Sequence, residues 1–471
     1  MKLSVLVPGA VDVPVTGFAI DHRKVAPGTV FGAFAGGRFN GEDYIAAAVA
    51  GGAIAIVARP EVVVEGAIHI ADPAPRRCFA RLAARFFAPF PACAVAVTGT
   101  NGKTSTVEMV RQVWRMAGHS AASIGTLGVT TGDDRVSTGL TTPDVVTFLS
   151  NVAGLAREGV THLAFEASSH GLDQYRTEGV PLTAAAFTNL SRDHLDYHGT
   201  MEDYFAAKLR LFADVLPEDG TAVIWADDAV AGEVVAAAKA RGININSVGT
   251  MGETLRLVAR EPSLLGQTLT VEAGGRTHKI VLPLIGAYQA ANALVSAGLV
   301  MATGGEMTAT LAALSRLQPV RGRLERAVIT RSGAPVYVDY AHTPDALEAA
   351  IAALRPHVGG RLVVVFGAGG DRDTGKRVEM GRVAATKADY VIVTDDNPRS
   401  EDPAGIRAMV LAGAPDAVEI GMRRDAIGAA IAAAGPQDIV LIAGKGHEQG
   451  QIVGEFVLPF DDVSVAREMA A

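Results

Sequence analysis

Six times along this chain a short apolar run stops at a cluster of polar residues. Leu163-Ala164-Phe165 leads into Glu166-Ala167-Ser168-Ser169-His170, and the run 184–187 leads into Thr188-Asn189-Leu190-Ser191-Arg192-Asp193-His194. Val336-Tyr337-Val338 precedes Asp339-Tyr340-Ala341-His342, and the run 363–366 precedes Gly367-Ala368-Gly369-Gly370-Asp371-Arg372-Asp373. Ile392-Val393-Thr394 precedes Asp395-Asp396-Asn397-Pro398-Arg399, and the run 439–443 precedes Gly444-Lys445-Gly446-His447-Glu448. Amphipathic segments of helical period lie between the runs. That alternation predicts an α/β fold built on doubly wound, mostly parallel sheets. Open sheets of this kind bind ligands beyond the carboxyl ends of their strands. Two sheets with loaded edges imply an active site in the cleft between them.

A seventh junction carries the densest chemistry. Ala94-Val95-Ala96-Val97 leads into Thr98-Gly99-Thr100-Asn101-Gly102-Lys103-Thr104-Ser105, and a helical pattern follows from Val107 to Met116. A strand, a glycine turn and a helix in that order form a phosphate cradle. The glycines let backbone N–H groups face an anion, and the helix N-terminus adds partial positive charge. Lys103 is placed to reach the outer phosphates, and the Thr104 hydroxyl to hold Mg²⁺. The longer G-x-x-x-x-G-K spacing would need glycine at position 97, where Val97 stands.

The length of 471 residues suggests about three domains. The turn signals Pro89 and Pro91 close a linking helix over 76–87, and a second boundary falls near Gln318-Pro319-Val320-Arg321-Gly322. The expected division is therefore 1–88, 89–316 and 317–471. A net charge of −8 argues against a nucleic-acid partner. Cys78 and Cys93 are too few for a disulfide framework and fit a reducing compartment. No basic segment precedes the first apolar residues, and no uncharged apolar run approaches the ~20 residues of a membrane span. A soluble cytoplasmic protein is expected.

Glu166 falls where a strand should end, beside the phosphate loop, and a carboxylate there can hold Mg²⁺ alongside nucleotide oxygens. Asp193-His194-Leu195-Asp196-Tyr197-His198 matches no zinc spacing; His194 remains a candidate near phosphate and Mg²⁺, and His198 reads as structural. Thr200 and Asp203 make a capping box, so a helix starts there. Tyr204, Lys208 and Phe212 then share one largely apolar face. Lys208 either snorkels to water or is a neutralised, modified amine, since carbamylation needs an unprotonated lysine. Gly367-Ala368-Gly369-Gly370 fails the dinucleotide fingerprint, because its third glycine would fall at Arg372. Asp371, Arg372, Asp373, Lys376 and Arg377, with Asp396, Asn397, Pro398, Arg399 and Glu448, read either as a site for a zwitterion or as surface ion pairs.

These blocks together resemble the Mur ligase family, which has folylpolyglutamate synthetases among its relatives. The resemblance spans essentially the whole chain. It rests on the loop 99–104, on Glu166 through Arg176, on Leu190-Ser191-Arg192-Asp193-His194 continuing to Lys208, on Asp339-Tyr340-Ala341-His342-Thr343-Pro344, and on Asp396-Asn397-Pro398-Arg399 with Gly444-Lys445-Gly446-His447-Glu448. The last pair points to the diaminopimelate-adding branch. The resemblance implies a small UDP-binding α/β domain over 1–88, a central P-loop domain over 89–316 and a Rossmann-like amino-acid-binding domain over 317–471. It implies ATP at Gly99, Thr100, Asn101, Gly102, Lys103 and Thr104, with Asn292, Asp339 and His342. Thr104, Glu166, His194 and Lys208 would serve Mg²⁺, Lys208 as a carbamate; with Lys103 these form the catalytic set. His22, Gly37, Arg38, Phe39, Thr141, Thr142, Ser168, Gln174 and Arg176 match positions contacting a UDP-muramoyl dipeptide. Arg372, Asp396, Asn397, Pro398, Arg399, Gly444 and Glu448 match positions holding diaminopimelate, and Arg399 would pair with the carboxylate that lysine lacks.

The implied activity is ATP-driven addition of meso-2,6-diaminopimelate to UDP-N-acetylmuramoyl-L-alanyl-D-glutamate through an acyl phosphate, by a monomer in cytoplasmic peptidoglycan precursor synthesis. The alternatives are a lysine-adding member and a folylpolyglutamate-synthetase-like ligase. Three departures stand out. His22 replaces the usual serine of Asp-Ser-Arg, Trp225 replaces the asparagine of Asn-Ala-Asp-Asp, and Tyr288-Gln289 replaces Phe-Asn, with Asn292 retained.

Overall fold

The computed structural model describes residues 1–36, 40–132, 134–136, 141–263 and 265–471. Its packing divides the chain into two compact units, Met1–Arg256 with Leu294–Thr310, and Leu257–Ala293 with Leu311–Ala471. No helix among the described residues is long and apolar enough to cross a membrane.

The first unit opens with a four-stranded parallel sheet in the order Gly17–Ala19, Thr29–Gly32, Ala53–Ala58 and Ile68–Ala71. The helix Pro75–Phe87 follows, as the sequence predicts, with proline in its first turn. Phe79 from this helix meets Phe18 and Phe34 edge-on, so the helix is nailed to the sheet by aromatic contacts.

The larger sheet of this unit runs in the order Asn244–Gly249, Thr221–Trp225, Ala184–Phe187, Cys93–Thr98, His162–Glu166 and Ala121–Gly125, all parallel. Gly128–Thr131 and Asp134–Val136 then add antiparallel. Cys93–Thr98 is almost wholly buried and reads as a continuous apolar run, as strands covered on both faces do. It is also where the strand order reverses. From it the chain moves first toward Ala121–Gly125 and later, from Ala184–Phe187, to the other side. That is the switch point at which such sheets open a crevice, and the glycine loop starts there.

In the second unit a six-stranded sheet runs in the order Glu325–Ile329, Pro335–Asp339, Ile439–Ala443, Leu362–Phe366, Tyr390–Val393 and Val418–Glu419; only the first strand is antiparallel. Alternate residues feed different cores. Val364 and Leu441 join one cluster, while Val363, Val365, Val440 and Ile442 join another on the opposite face. Gly266–Ala273 pairs antiparallel with Arg276–Leu282, and Gly450–Val453 with Phe456–Pro459.

Candidate active site

The loop after Cys93–Thr98 is held open by its glycines and splinted by the next strand's polar tail. Gly99 has φ +143°, and a Cβ there would lie 2.0 Å from Thr188 Oγ1. Gly102 has φ +86° and caps the helix Lys103–Met116 with no side-chain bond. The Thr100 and Asn101 N–H groups donate to Asn189 O (2.8 Å) and Asn189 Oδ1 (2.9 Å), while Thr188 Oγ1 donates to Asn101 O (2.6 Å). The first turn of the 14-residue helix carries no acid. Its positive end is left for an exogenous anion, and the cradle fits phosphates. Lys103 Nζ donates to Gly99 O (3.0 Å) and Thr100 O (2.8 Å), folding the lysine over its own loop.

Glu166 ends the neighbouring strand and is 2% exposed. Both its oxygens are held by one residue: the Thr126 N–H donates to Oε1 (2.7 Å) and the Thr126 hydroxyl to Oε2 (3.3 Å). The same hydroxyl bonds Thr141 Oγ1 (3.1 Å) and accepts from Thr104 Oγ1 (3.4 Å). Thr126 thus joins the loop threonine, the strand-end carboxylate and the 141–142 segment. Glycine at 125 makes room for the carboxylate, because a Cβ there would lie 2.1 Å from Glu166 Oε1 and displace it. Sequence reading misses Thr126. Its signal is the run 121–125, whose middle Ser123 masks the apolar pattern. The donor set of hydroxyls and a carboxylate is hard oxygen, suited to Mg²⁺ rather than zinc. Among the described residues no three His, Cys, Asp or Glu side chains form a closed metal cluster, so phosphate and water would have to complete any shell.

Thr142, Ser168, Gln174 and Arg176 form one connected patch. Thr142 Oγ1 donates to Glu166 O (3.0 Å), Ser168 Oγ donates to Thr142 Oγ1 (2.9 Å), and Arg176 donates to Thr142 O (2.8 Å) and to Gln174 Oε1 (2.8 Å). Gln174 in turn donates to the Tyr197 hydroxyl (2.8 Å), which donates to Asp173 (2.7 Å). His22 lies elsewhere in the unit, stacked flat on Tyr44 with ring centroids 4.4 Å apart. Gly37, Arg38 and Phe39 fall outside the described residues.

His194 sits at φ +52°, half-exposed, at the head of the short helix Leu195–His198. Its ring meets His170 edge-on at 4.9 Å. Burial and the neighbouring imidazoles hold His170 down at about 4, and burial likewise lowers His198. Thr200 caps the helix Met201–Arg210 by accepting from the Asp203 N–H (3.1 Å), as the capping box predicts. That helix carries Lys208 inward, not out to water: it is 1% exposed. Its ammonium donates to Gly99 O (2.7 Å) and lies 4.4 Å from the Tyr204 ring centroid. Burial, reinforced by Lys103, pushes its pKa well below the ordinary lysine value.

In the second unit Asp339 ends a strand and is buried, its oxygens accepting from the N–H groups of Leu324 (2.7 Å) and Ala341 (2.9 Å). Burial raises it to about 6. His342 Nδ1 lies 2.8 Å from Tyr340 O, and burial lowers its pKa. Asn292 donates to Gln289 Oε1 (3.3 Å), and Gln289 donates to Arg323 O (3.1 Å).

The polar tails after Tyr390–Val393 and Ile439–Ala443 converge. Lys445, 0% exposed, donates to Asn397 Oδ1 (2.9 Å) and Glu448 Oε2 (3.1 Å) and lies 4.0 Å from Asp396 Oδ1. Asn397 Nδ2 donates to the same Glu448 oxygen (2.8 Å). Burial raises Asp396, opposed by Arg423 and Lys445. Gly444, at φ +116°, lets the chain pass, since a Cβ would lie 2.5 Å from Asp396 Oδ2. Arg399 donates from Nη1 to Gly370 O (2.7 Å), and Pro398 is buried beside it. Arg372 is exposed on the adjoining turn. Part of the charge cluster is structural: Arg377, fully buried, grips Glu401 with two bonds (2.7 and 2.8 Å), and Lys376 donates to His342 O (2.9 Å). Asp396, Asn397 and Glu448 thus gather around the buried Lys445, with Arg399 on the following turn.

Comparison with known proteins bears on the whole chain. Residues 97–300 match the Mur ligase middle domain and residues 322–446 the Mur ligase glutamate ligase domain. A protein of Zymomonas mobilis subsp. mobilis named UDP-N-acetylmuramoyl-L-alanyl-D-glutamate–2,6-diaminopimelate ligase is 62% identical over 467 residues, covering 98% of this chain and 96% of its own. A solved structure bearing the same enzyme name superposes with a TM-score of 0.77 at 33% identity, covering 100% of this chain and 98% of the other. The MurF ligase of Thermotoga maritima in complex with ADP, 21% identical and with a TM-score of 0.61 over 97% of each chain, shares the fold. With two family domains matched in sequence order and this identity along nearly its full length, the chain belongs to the Mur ligase family.

Proposed function

We propose that the chain is an ATP-dependent amide ligase that adds meso-diaminopimelate to UDP-N-acetylmuramoyl-L-alanyl-D-glutamate in peptidoglycan precursor synthesis. The observation that carries this reading is the phosphate loop at the sheet's switch point with Glu166 buried beside it, in a chain 62% identical to a ligase of that name. The division into domains 1–88, 89–316 and 317–471, a monomeric state and a cytoplasmic location belong to the same proposal.

An ionised carboxylate is a poor acyl donor, so the D-glutamyl γ-carboxylate first attacks the γ-phosphorus of ATP, the bond to the β,γ-bridging oxygen breaks, and ADP leaves an acyl phosphate behind. The diaminopimelate amine then attacks the acyl phosphate carbon, and phosphate leaves. Loop N–H groups and the helix N-terminus seat the phosphates, and Lys103 turns from its loop carbonyls to the transferring phosphoryl group. Bound Mg²⁺ would neutralise charge on the phosphoryl oxygens, held by Thr104, Glu166, His194 and a carbamylated Lys208. Thr126 fixes Glu166 with both its polar groups, so the carboxylate needs no reorganisation during reaction. Thr141, Thr142, Ser168, Gln174 and Arg176 orient the muramoyl dipeptide, with His22 and the segment Gly37, Arg38, Phe39 on the uridine side. Asn292, Asp339 and His342 serve the nucleoside of ATP. Arg372 and Arg399 take carboxylates of diaminopimelate, while Asp396, Asn397 and Glu448 take an ammonium; Pro398 and Gly444 shape the turn.

The test is phosphate release from ATP with UDP-muramoyl-L-Ala-D-Glu, comparing meso-diaminopimelate with L-lysine. Turnover with diaminopimelate alone is expected. Turnover with lysine overturns the amino-acid assignment, and turnover only with a folyl substrate overturns the function.

A further inference from the structure

Arg399 has a backbone conformation that needs outside support. Its φ of +51° is left-handed, which arginine adopts at a cost unless neighbours fix it. The support comes from the hairpin Gly450–Val453 with Phe456–Pro459. The Arg399 N–H donates to Ile452 O (3.0 Å), and Arg399 O accepts from the Gly454 N–H (2.7 Å). Two further bonds hold the residues just before it: Gln451 Nε2 donates to Asp396 O (2.6 Å), and the Ile452 N–H donates to Asn397 Oδ1 (2.9 Å). The Arg399 guanidinium is then aimed across the 369–370 turn, where it meets Gly370 O. Gly370 itself donates to Asn397 O (2.9 Å), closing the ring of bonds.

The hairpin has little other reason to sit where it does. Phe456 and Val457 are 74% and 67% exposed, so it buries little apolar surface of its own, and an isolated two-stranded hairpin is marginal in water. Its polar groups face the 396–399 turn. Of the four bonds between hairpin and turn, only the one from Gln451 uses a hairpin side chain; the others run from or to the hairpin backbone. A substitution at 451 therefore loosens the turn while leaving every group of the amino-acid site chemically intact.

We propose that Gln451 is a positioning residue for the amino-acid substrate: through the hairpin it sets the turn that presents Arg399 to the distal carboxylate of a diamino-dicarboxylic acid. This rests on the amino-acid site described under Proposed function. Gln451 does not touch substrate. Its amide fixes Asp396 O, and the consequence is felt at the Asp396 carboxylate and at Arg399. Discrimination against an amino acid lacking the second carboxylate depends on where that guanidinium points, so loosening the turn lowers discrimination before it lowers the chemical step.

The experiment is steady-state kinetics on Gln451→Met, which keeps the side-chain volume without the donor, with Gln451→Ala beside it. The expected result is a KM for meso-diaminopimelate raised about tenfold, the scale of one lost hydrogen bond. The kcat, the KM for ATP and the KM for the UDP-muramoyl dipeptide should stay within about twofold, and the diaminopimelate-to-lysine preference in kcat/KM should fall. An unchanged diaminopimelate KM, or parallel changes in every constant, overturns the proposal. Arg399→Lys separates the two possible failures. If it raises the diaminopimelate KM while the Gln451 variants do not, the site stands and the positioning role falls; if it too changes nothing, the site reading falls and the proposal with it. Thermal midpoints of the variants show whether they are folded. Should Gln451→Met not fold, Ile452→Pro, which removes the N–H given to Asn397, asks the same question of the same turn, with the same two outcomes.

Discussion

At the scale of single residues, Lys208 carries the sharpest expectation. A lysine buried against Gly99 O and beside Lys103 is easily neutralised, and a neutral amine can take up carbon dioxide to become an anion. Lys208→Ala is expected to lose turnover by about 100-fold or more, the scale of one missing electrostatic group, and to recover partly with added short carboxylates. Loss without recovery removes the carbamate, and full activity removes Lys208 from the mechanism. Asp339 makes a second case. Burial raises it from 3.8 to about 6. Between those values the folded chain holds a proton that the unfolded chain has released, so this group's stabilisation is present below about pH 4 and lost as pH rises toward 6. Urea unfolding of the wild type relative to Asp339→Asn should show the wild-type advantage shrinking by up to about 3 kcal/mol over that window; a difference independent of pH rules this out. Residues whose chemistry shows in their type were legible in the sequence: the loop lysine, the strand-end Glu166, a lysine on an apolar helical stripe. Thr126, Lys445 and Gln451 were not. Their meaning comes from partners 40, 48 and 55 positions away in the chain, which no local pattern reports.

At the scale of elements, strands were read to within a residue or so because buried parallel strands are nearly uninterrupted apolar runs. The run 439–443 is the strand Ile439–Ala443, and Asp438 just before it stays outside, its carboxylate accepting from the Arg361 N–H (2.6 Å). The two hairpins were not legible. The pair Gly274-Gly275, at φ +55° and +73°, is the kind of two-residue turn that closes one of them, yet its flanking strands alternate too loosely to stand out. Strand ends also carry a testable constraint. Gly125 closes Ala121–Gly125 directly against Glu166, and Gly125→Ala would push the carboxylate from the Thr126 bonds that hold it. Turnover is expected to drop at least about tenfold, since even small misplacement of a reacting or metal-holding group is costly. The thermal midpoint should move by only a few degrees. Unchanged turnover would show that Glu166 need not be held as it is.

At the scale of the molecule, four hydrophobic clusters among the described residues each lie within one packing unit. Two lie in the first unit and two in the second. Cooperative unfolding is a property of a shared core, so calorimetry should show more than one transition, or a van't Hoff enthalpy below the calorimetric one. Diaminopimelate should shift the transition of the unit that holds Arg399 by mass action. A single two-state transition contradicts this. The turn signals suggest three domains, whereas packing divides the chain into two compact units. The grouping of 257–293 with 311–471 was not legible, because chain order does not reveal which segments share a core. The left-handed backbone of Arg399 bears on how such a chain changes over generations. Glycine would occupy that φ without strain, at the loss of the side-chain bond to Gly370 O. If Arg399 takes the distal carboxylate as proposed, selection for backbone ease alone would pull position 399 toward glycine, and the choice of amino acid would hold the arginine there.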